Sequence, residues 1–257
     1  MQIEPTHHHN EGIKVLVLSK VIKPWNASVF VSNEDYSDDN PKEFIIKTLE
    51  SNNSIEWVIY DTNYPWVFHS GVSKFLYETY PNLKFIFTSS GYVFGNSNWN
   101  ESTEIDEYNP EQEFLEIISK EEIVSNRVWT LRYELFDEMS ISNIDFSEDR
   151  VYHGAIDIKR SMITKTALNS LIQTIVENHT QIKEGTYHII PKDTHTEYEL
   201  LNYVAWKKGK SPYIERATSN TPINHILKTS KYSELEKIWS LSKYRNIPSF
   251  KELFDEL

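Results

Sequence analysis

The sequence predicts an α/β protein with a doubly wound parallel sheet and a small C-terminal α/β lobe. Strand and helix patterns alternate through the first half of the chain. The strand patterns are nearly continuous apolar runs, which are typical of parallel strands buried on both faces. The 257 residues, with 39% hydrophobic content, are sufficient to bury a sizeable core.

The first two strands are predicted at 13–18 and 28–31, where short apolar runs occur. Only residues 19–27 separate them, and this segment contains Pro24. A parallel crossover needs about a dozen residues, usually including a helix, and an internal proline opposes helix formation. We therefore expect the first crossover helix to be shortened or absent.

The rest of the first half continues the alternation. Asn40 is a suitable cap for a helix in which Pro41 takes the first helical position. The further predicted elements are a strand at 56–60 that ends at Asp61, a helix over 67–80, a strand at 84–88, a helix over 110–125 and a strand at 127–132. The acidic cluster of Glu101, Glu104, Asp106 and Glu107 in the loop 96–109 is interpreted as a solvated surface.

The second half contains fewer strands. Residues 137–160 show little periodicity and are predicted to form loops with one short strand. The later predicted elements are a helix from its cap Thr164 to about residue 179, a strand at 185–190, a helix over 196–208 with a capping box of Thr196 and Glu199, and closing helices over 230–237 and 249–257. We divide the chain into a flexible tail at 1–11, a main domain at 12–140 with part of 141–180, and second-lobe elements within 141–257.

Composition restricts the possible partners and the compartment. The net charge is −12, from 26 basic and 38 acidic side chains, which argues against nucleic acid and anionic membranes as partners. The N-terminus lacks the basic start and apolar core of a signal peptide, and the chain contains no cysteine, so we expect a cytoplasmic protein. The triplet His7 to His9 is more typical of an incidental tail than of a metal site, so no metal is predicted.

Small polar side chains end the predicted central strand and its neighbours. The run 85–87 is apolar and is followed directly by Ser89 and Ser90, and then by an aromatic turn. Ser19 and Asp61 occupy the corresponding ends of two other strands. Since ligands of parallel α/β sheets bind at the carboxyl ends of the strands, this edge is the candidate site.

The segment 89–94, Ser-Ser-Gly-Tyr-Val-Phe, resembles the strand-end motif Ser-Thr-Asp-Tyr-Val-Phe of the dTDP-4-dehydrorhamnose reductase group, within the extended short-chain dehydrogenase/reductase family. Further segments are similar to that family in the same order: the strand at 128–132 with its closing Arg132, the long helix at 164–178, the Gly-x-Tyr-His strand at 185–188, and the C-terminal elements at 229–231 and 247–253. The resemblance thus covers nearly the whole chain.

This resemblance implies a Rossmann-like fold whose C-terminal lobe binds the substrate. It also implies that Ser90 is the catalytic hydroxyl that helps to polarise the substrate carbonyl, and that Tyr92 and Arg132 contact the substrate. An active member would use NADP or NAD as its cofactor. Dimerisation is frequent in the family, so a homodimer is expected.

The cofactor-binding motif of the family is not retained. Its three glycines fall on Ser19, Ile22 and Trp25, and the last two side chains would fill the space that the phosphates need. The remaining candidate cofactor contacts are Ser19, Lys20, Asp61 and Ser89. We therefore expect that no cofactor is bound.

The catalytic Tyr-x-x-x-Lys pair is also altered. Lys120 resembles the family lysine, but Glu116 stands where the tyrosine is expected. A carboxylate four residues before a lysine is an ordinary stabilising helix pair. The residues that stand at the catalytic positions of the family, and are thus the candidate catalytic residues, are Ser90, Glu116 and Lys120.

Two functions remain open. The joint loss of the glycines, the first helix and the tyrosine favours a degenerate nucleotide-sugar reductase-like protein without NAD(P)-dependent activity, which acts as a binding or protein-interaction module. The alternative is an active nucleotide-sugar 4-keto reductase or epimerase, of the kind used in dTDP-rhamnose-type deoxysugar synthesis, with atypical cofactor contacts. The candidate partners are another protein, a second copy of the chain or a nucleotide-sugar.

Overall fold

A computed structural model describes residues 13–19, 28–31, 41–61, 71–94, 101–109, 128–136, 144–147, 149–219 and 226–256. The N-terminal tail, the first crossover and the helix predicted over 110–125 lie outside these ranges, so the expectations about them stay predictions. The described strands are β1 (Lys14–Leu18), β2 (Ser28–Val31), β3 (Ile55–Asp61), β4 (Lys84–Ser90), β5 (Glu101–Ser102), β6 (Trp129–Leu135), β7 (Val151–Ala155), β8 (Lys159–Arg160), β9 (Met162–Ile163), β10 (Gly185–His188), β11 (His195–Thr196), β12 (Tyr213–Ala217) and β13 (Ile226–Leu227). The described helices are α1 (Pro41–Ser51), α2 (Val72–Thr79), α3 (Lys165–Asn178), α4 (Glu197–Lys207), α5 (Tyr232–Leu241) and α6 (Phe250–Phe254).

The main sheet has the order β10-β6-β4-β3-β1-β2, and β9 also pairs with β6. Each of these pairings is parallel. The chain moves outward from β1 to β2 on one side, and then from β3 through β4 and β6 to β10 on the other. The order therefore reverses between β1 and β3, and the predicted doubly wound sheet is confirmed.

The core lies on both faces of this sheet, because successive side chains of a strand point to opposite faces. Val15 and Val17 belong to a cluster that includes the apolar stripe of α3. Leu16 and Leu18 belong to a second cluster, which includes Ile45 of α1 and residues of α2. These four β1 side chains are fully buried, and burial of such side chains stabilises the fold by about 1.5 to 3 kcal/mol each.

The C-terminal elements share the core of the main sheet. The cluster on the α3 side also contains Leu200 of α4, Trp239 of α5, and Phe250 and Phe254 of α6. Outside the main sheet, β12 pairs in parallel with β7, β13 in parallel with β5, and β11 antiparallel with β8. The β5–β13 pair attaches the loop after β4 to the C-terminal part of the chain.

The predicted helix caps are confirmed where the structure describes them. The Thr164 side chain accepts a hydrogen bond from the amide of Ala167 at the start of α3. At the start of α4, Thr196 and Glu199 form the expected capping box. Of the described helices, none has the length and apolar content required to cross a bilayer.

Several element boundaries differ from the sequence prediction. Strand β4 continues through Ser89 and Ser90, so these residues end the strand and do not follow it. Two strands, β7 and β8, occupy part of 137–160, where one was expected. Strand β12 was not predicted, because its sequence Tyr-Ile-Glu-Arg-Ala lacks an apolar run and much of it is exposed.

Candidate functional site

Three polar side chains meet at the carboxyl ends of β1, β3 and β4, and we call them the Asp61 cluster. The Ser19 hydroxyl donates to Oδ2 of Asp61 at 2.5 Å. The Thr88 hydroxyl donates to the other carboxylate oxygen, Oδ1, at 2.9 Å. Ser19 is 1% exposed, and Asp61 and Thr88 are both 0% exposed. The buried carboxyl group is thus satisfied on each oxygen and links three neighbouring strands.

The described part of this edge does not match a dinucleotide cradle. Ser19 takes the position of the first family glycine. A glycine there would expose backbone N–H groups to a phosphate, whereas the Ser19 hydroxyl donates to Asp61. Asp61, the acidic side chain beside Ser19, offers no N–H donor to an anionic pyrophosphate. The other predicted phosphate contact, Lys20, lies outside the described residues.

The two serines at the end of β4 differ in exposure. Ser89 is fully buried and pairs in register with Arg132 of β6. Ser90 is half-buried and pairs with Tyr133. Ser90 is therefore the more accessible of the two hydroxyls, and its catalytic role stays a prediction.

A tight packing contact explains the glycine that follows Ser90. Gly91 starts a single 3-10 turn that ends at Phe94. A Cβ atom on Gly91 would lie 3.0 Å from the Leu227 side chain of β13. The aspartate that the family motif has at this position would require Leu227 to move. The side chain of Tyr92, a predicted substrate contact, lies outside the description.

Arg132 lies at the centre of a second group, the Arg132 cluster, with Phe94, Glu104, Tyr108 and His188. Its guanidinium carbon lies 4.9 Å from the centre of the Phe94 ring and 5.0 Å from that of Tyr108. One guanidinium nitrogen donates to the Tyr108 hydroxyl at 2.5 Å, and the other lies 3.1 Å from Nε2 of His188. Arg132 is 2% exposed, and its role as a substrate contact stays a prediction.

His188 is a neutral hydrogen-bond bridge in this cluster. Its Nδ1 lies 2.6 Å from the carbonyl oxygen of Lys228, which only accepts, so Nδ1 carries the proton. Nε2 is then the acceptor for Arg132. Burial is the main cause that lowers the pKa of His188 to about 4, with Glu104 opposing and Arg132 adding to this shift. The imidazole is therefore neutral at pH 7.

Glu104 fixes the loop after β4 to the rest of the cluster. Its Oε1 accepts from the His188 amide at 3.1 Å and the Thr229 hydroxyl at 2.5 Å. Its Oε2 accepts from the amide and the hydroxyl of Ser230, at 2.8 Å and 2.9 Å. Burial acts to raise the pKa of Glu104, but these hydrogen bonds outweigh burial and lower the pKa to about 2.

The interpretation of the acidic loop as a solvated surface is wrong for Glu104. Its partners lie 84 and 125 residues away along the chain, so no local pattern marks it. The interpretation agrees with Asp106 and Glu107, which are exposed, and with Glu101, whose side chain is 41% exposed in an ion pair with Lys228.

The structure thus brings Ser19 and Asp61 together and places Ser89 beside Arg132. Glu116 and Lys120 lie outside the described residues. Sequence reasoning did not assign Glu104, Tyr108 or His188 to the site. The Gly-x-Tyr-His motif was the available signal for His188. Within the ranges that the structure describes, no group of residues has the composition of a metal site, and His7 to His9 lie outside them.

No protein-family model matches the chain. No curated protein is significantly similar to it in sequence. Similar solved structures include a dTDP-4-dehydrorhamnose reductase from Clostridium acetobutylicum, with 14% identity over 95% of this chain and 98% of that chain and a TM-score of 0.71. A dTDP-glucose 4,6-dehydratase from Bacillus anthracis in complex with NAD has 13% identity over 95% of both chains and a TM-score of 0.67. A UDP-N-acetylglucosamine 4-epimerase from Bacillus cereus has 12% identity over 95% and 98%, and a TM-score of 0.64.

These likenesses confirm the resemblance at the level of fold. The chain has the architecture shared by extended short-chain dehydrogenase/reductase enzymes that act on nucleotide-sugars. The same fold supports many chemistries, so the function has to be argued from the site.

Proposed function

We propose that this protein is a degenerate relative of the nucleotide-sugar reductases, that it does not catalyse NAD(P)-dependent oxidoreduction, and that it acts as a protein-binding module. The observation that carries the proposal is the Asp61 cluster. In doubly wound sheets the dinucleotide binds at the strand ends beside the switch point, which here lies between β1 and β3. Ser19 directly follows β1, Asp61 ends β3, and the two side chains bond to each other.

The physical reason is the chemistry that a pyrophosphate requires. It binds to backbone N–H groups that glycines expose, at the N-terminus of a helix. In this chain the first glycine is replaced by a serine whose hydroxyl proton is held by a buried carboxyl group. The buried Asp61 carboxyl group supplies no N–H donor to a phosphate, and the Ser19 hydroxyl that could donate is already bonded to it.

The Arg132 cluster gives further support. A guanidinium that binds a sugar diphosphate needs free donors that face the ligand. The Arg132 guanidinium packs against two aromatic rings and donates to Tyr108, and the residue is 2% exposed. It therefore stabilises the loop after β4 in the described structure.

A turnover assay tests the proposal. The full chain is incubated with NADPH or NADH and a dTDP- or UDP-linked 4-keto sugar, and nicotinamide oxidation is followed by absorbance. A dTDP-4-dehydrorhamnose reductase serves as the positive control, and circular dichroism verifies that the sample is folded. We expect no oxidation above the enzyme-free blank. Turnover at an ordinary enzymatic rate, on the order of 1 s⁻¹ or faster, would contradict the proposal.

One observation favours a second candidate, the active reductase or epimerase with atypical cofactor contacts. Ser90, which resembles the catalytic hydroxyl, remains half-buried at the end of β4. This candidate would act through Ser90 together with Glu116 and Lys120. It predicts turnover in the assay above and a loss of at least about a hundredfold in the Ser90→Ala variant, the usual contribution of a group that assists proton transfer.

A further inference from the structure

A groove of about 560 Å³ lies between α4 and α6. Its lining shares no residue with the Asp61 cluster or the Arg132 cluster. The α4 side presents Glu199, Tyr203 and Trp206, which are spaced by four and three residues and so share one helix face. The α6 side presents Phe250 and Asp255. The volume falls in the range of sites that hold a small molecule.

The groove is rich in carboxylates. Asp193, Glu199 and Asp255 line it together with Lys251. One oxygen of Glu199 accepts from Thr196 in the capping box and one oxygen of Asp255 accepts from the Tyr203 hydroxyl, so the second oxygen of each is the one available to a ligand. Asp193 accepts from the Phe250 amide at 2.6 Å, and a second cation, Lys207, lies 3.9 Å from Asp255 at the edge. With a whole-chain charge of −12, the field around the groove favours a cationic ligand.

Aromatic rings form a continuous wall of the groove. The Trp206 ring lies 5.7 Å from that of Tyr203, which lies 5.6 Å from that of Phe250. The Phe250 ring stacks on His195 with ring centres 3.9 Å apart. Trp206 is 69% exposed, although an indole is among the most favourable groups to bury in an interface. This end of the wall is therefore open to a partner.

His195 lines the groove with unused hydrogen-bonding capacity. It is 3% exposed, and within the described part of the chain neither ring nitrogen has a hydrogen-bond partner. Buried polar nitrogens are normally paired, so the acceptor nitrogen of this ring is an unmet hydrogen-bonding position beside the groove, which a ligand reaches once the ring turns toward it. Burial is the main cause that lowers the pKa of His195 to about 4, so the ring is neutral at pH 7 and accepts a hydrogen bond without repelling a cation.

We propose that this groove binds an arginine side chain of a partner protein. A guanidinium is planar, stacks on aromatic rings and carries five N–H donors, which suit carboxylates and an imidazole acceptor together. A lysine ammonium lacks the planar face. Trp206 at the open end is exposed, and a protein surface around the arginine would cover it, whereas a free amino acid would not. This inference rests on the proposed binding role and names the chemistry of the partner.

A peptide titration of the full ¹⁵N-labelled chain tests the inference. The probes are acetyl-Gly-Ser-Arg-Gly-Ser-amide, the same peptide with lysine or citrulline at the centre, and free arginine. We expect saturable chemical-shift changes at groove residues, with the arginine peptide binding at least fivefold more tightly than the other three probes. Equal affinities for the peptides, or no saturation by about 20 mM, would overturn the guanidinium assignment. Free arginine binding as tightly as the peptide would overturn the protein-partner assignment.

Two variants and a control locate the interaction. Trp206→Ala and Asp193→Asn are expected to weaken arginine-peptide binding at least tenfold and fivefold, respectively. Tyr213→Ala, which removes an aromatic side chain that is 63% exposed on β12, outside the groove lining, should leave the affinity unchanged. Thermal melts verify that each variant is folded. Unchanged affinity in both groove variants would place any binding elsewhere and refute the inference. Turnover in the nicotinamide assay would refute the proposed function without affecting this result.

Discussion

The clearest test of the Arg132 cluster is the substitution Glu104→Gln. The two carboxylate oxygens accept four hydrogen bonds, from the His188 amide, the Thr229 hydroxyl and both groups of Ser230. An amide side chain keeps one acceptor oxygen and directs its NH₂ group at two of these donors. Loss of two hydrogen bonds to a charged acceptor, with the Ser230 N–H left facing another donor, predicts a loss of about 2 to 3 kcal/mol in the free energy of unfolding.

Urea denaturation at pH 7 measures this loss, with Glu101→Gln as the matched control on the same loop. Glu101 forms a surface ion pair with Lys228, both side chains being more than 40% exposed, so the control should change stability by less than about 0.5 kcal/mol. Equal effects of the two substitutions would refute the anchoring role of Glu104.

The pH dependence of the stability difference between the wild type and Glu104→Gln gives a second test. The pKa of Glu104 is lowered to about 2 from its ordinary value of 4.5. The stabilisation by the carboxylate is therefore fully present above pH 4.5 and is lost as the pH falls through 2. The difference between the wild type and Glu104→Gln should be constant from pH 7 to 5.5 and smaller at pH 3.5. A difference that grows on acidification would contradict the assignment.

Three further predictions concern stability. The pKa of buried His188 is lowered to about 4 from 6.5, so the stability linked to it is present above pH 6.5 and lost as the pH falls through 4. Between pH 7 and 5 this histidine alone should lower the free energy of unfolding by about 2 kcal/mol. A free energy of unfolding that does not change over that range would argue against a buried neutral imidazole. Gly154→Ala would place a Cβ atom 2.6 Å from the Tyr198 Cα, so chemical denaturation should show a loss of about 2 kcal/mol or more, and a neutral effect would mean that β7 and α4 pack less closely. Ser249→Ala removes the capping box with Glu252 and should lower the unfolding free energy by about 1 kcal/mol, whereas an unchanged midpoint would show that the cap is dispensable.

The fold could be predicted from sequence because its signals are local. The apolar run 15–18 and the pattern of α3 each identify an element and its buried face without information from distant residues. The caps Thr164 and Thr196 lie within three residues of the groups that they bind. Strand β12 was missed for the converse reason, since its pairing with β7 gives it strand geometry without an apolar run.

The site could be predicted only in part, because its chemistry depends on long-range contacts. The strand-end rule placed Ser19 and Asp61 at one edge, but it gave no information that they bond to each other. The hydrogen bonds of Glu104 join the loop after β4 to residues of β10 and to the segment before α5. These partners are distant in sequence, so the acidic pattern of the loop alone predicted a solvated surface. His195 gave no signal beyond its type, since its burial against Phe250 follows from the packing of α6.

The most direct test of the central claim is a thermal-shift and calorimetric titration of the full chain with NADH and NADPH, because a ligand that binds the native state raises its apparent stability. The Asp61 cluster predicts no saturable heat and no rise in the melting temperature up to about 1 mM of either nucleotide. A saturable rise with a micromolar dissociation constant would show that other contacts replace the missing glycines, and it would contradict the proposal that this protein has lost nicotinamide binding.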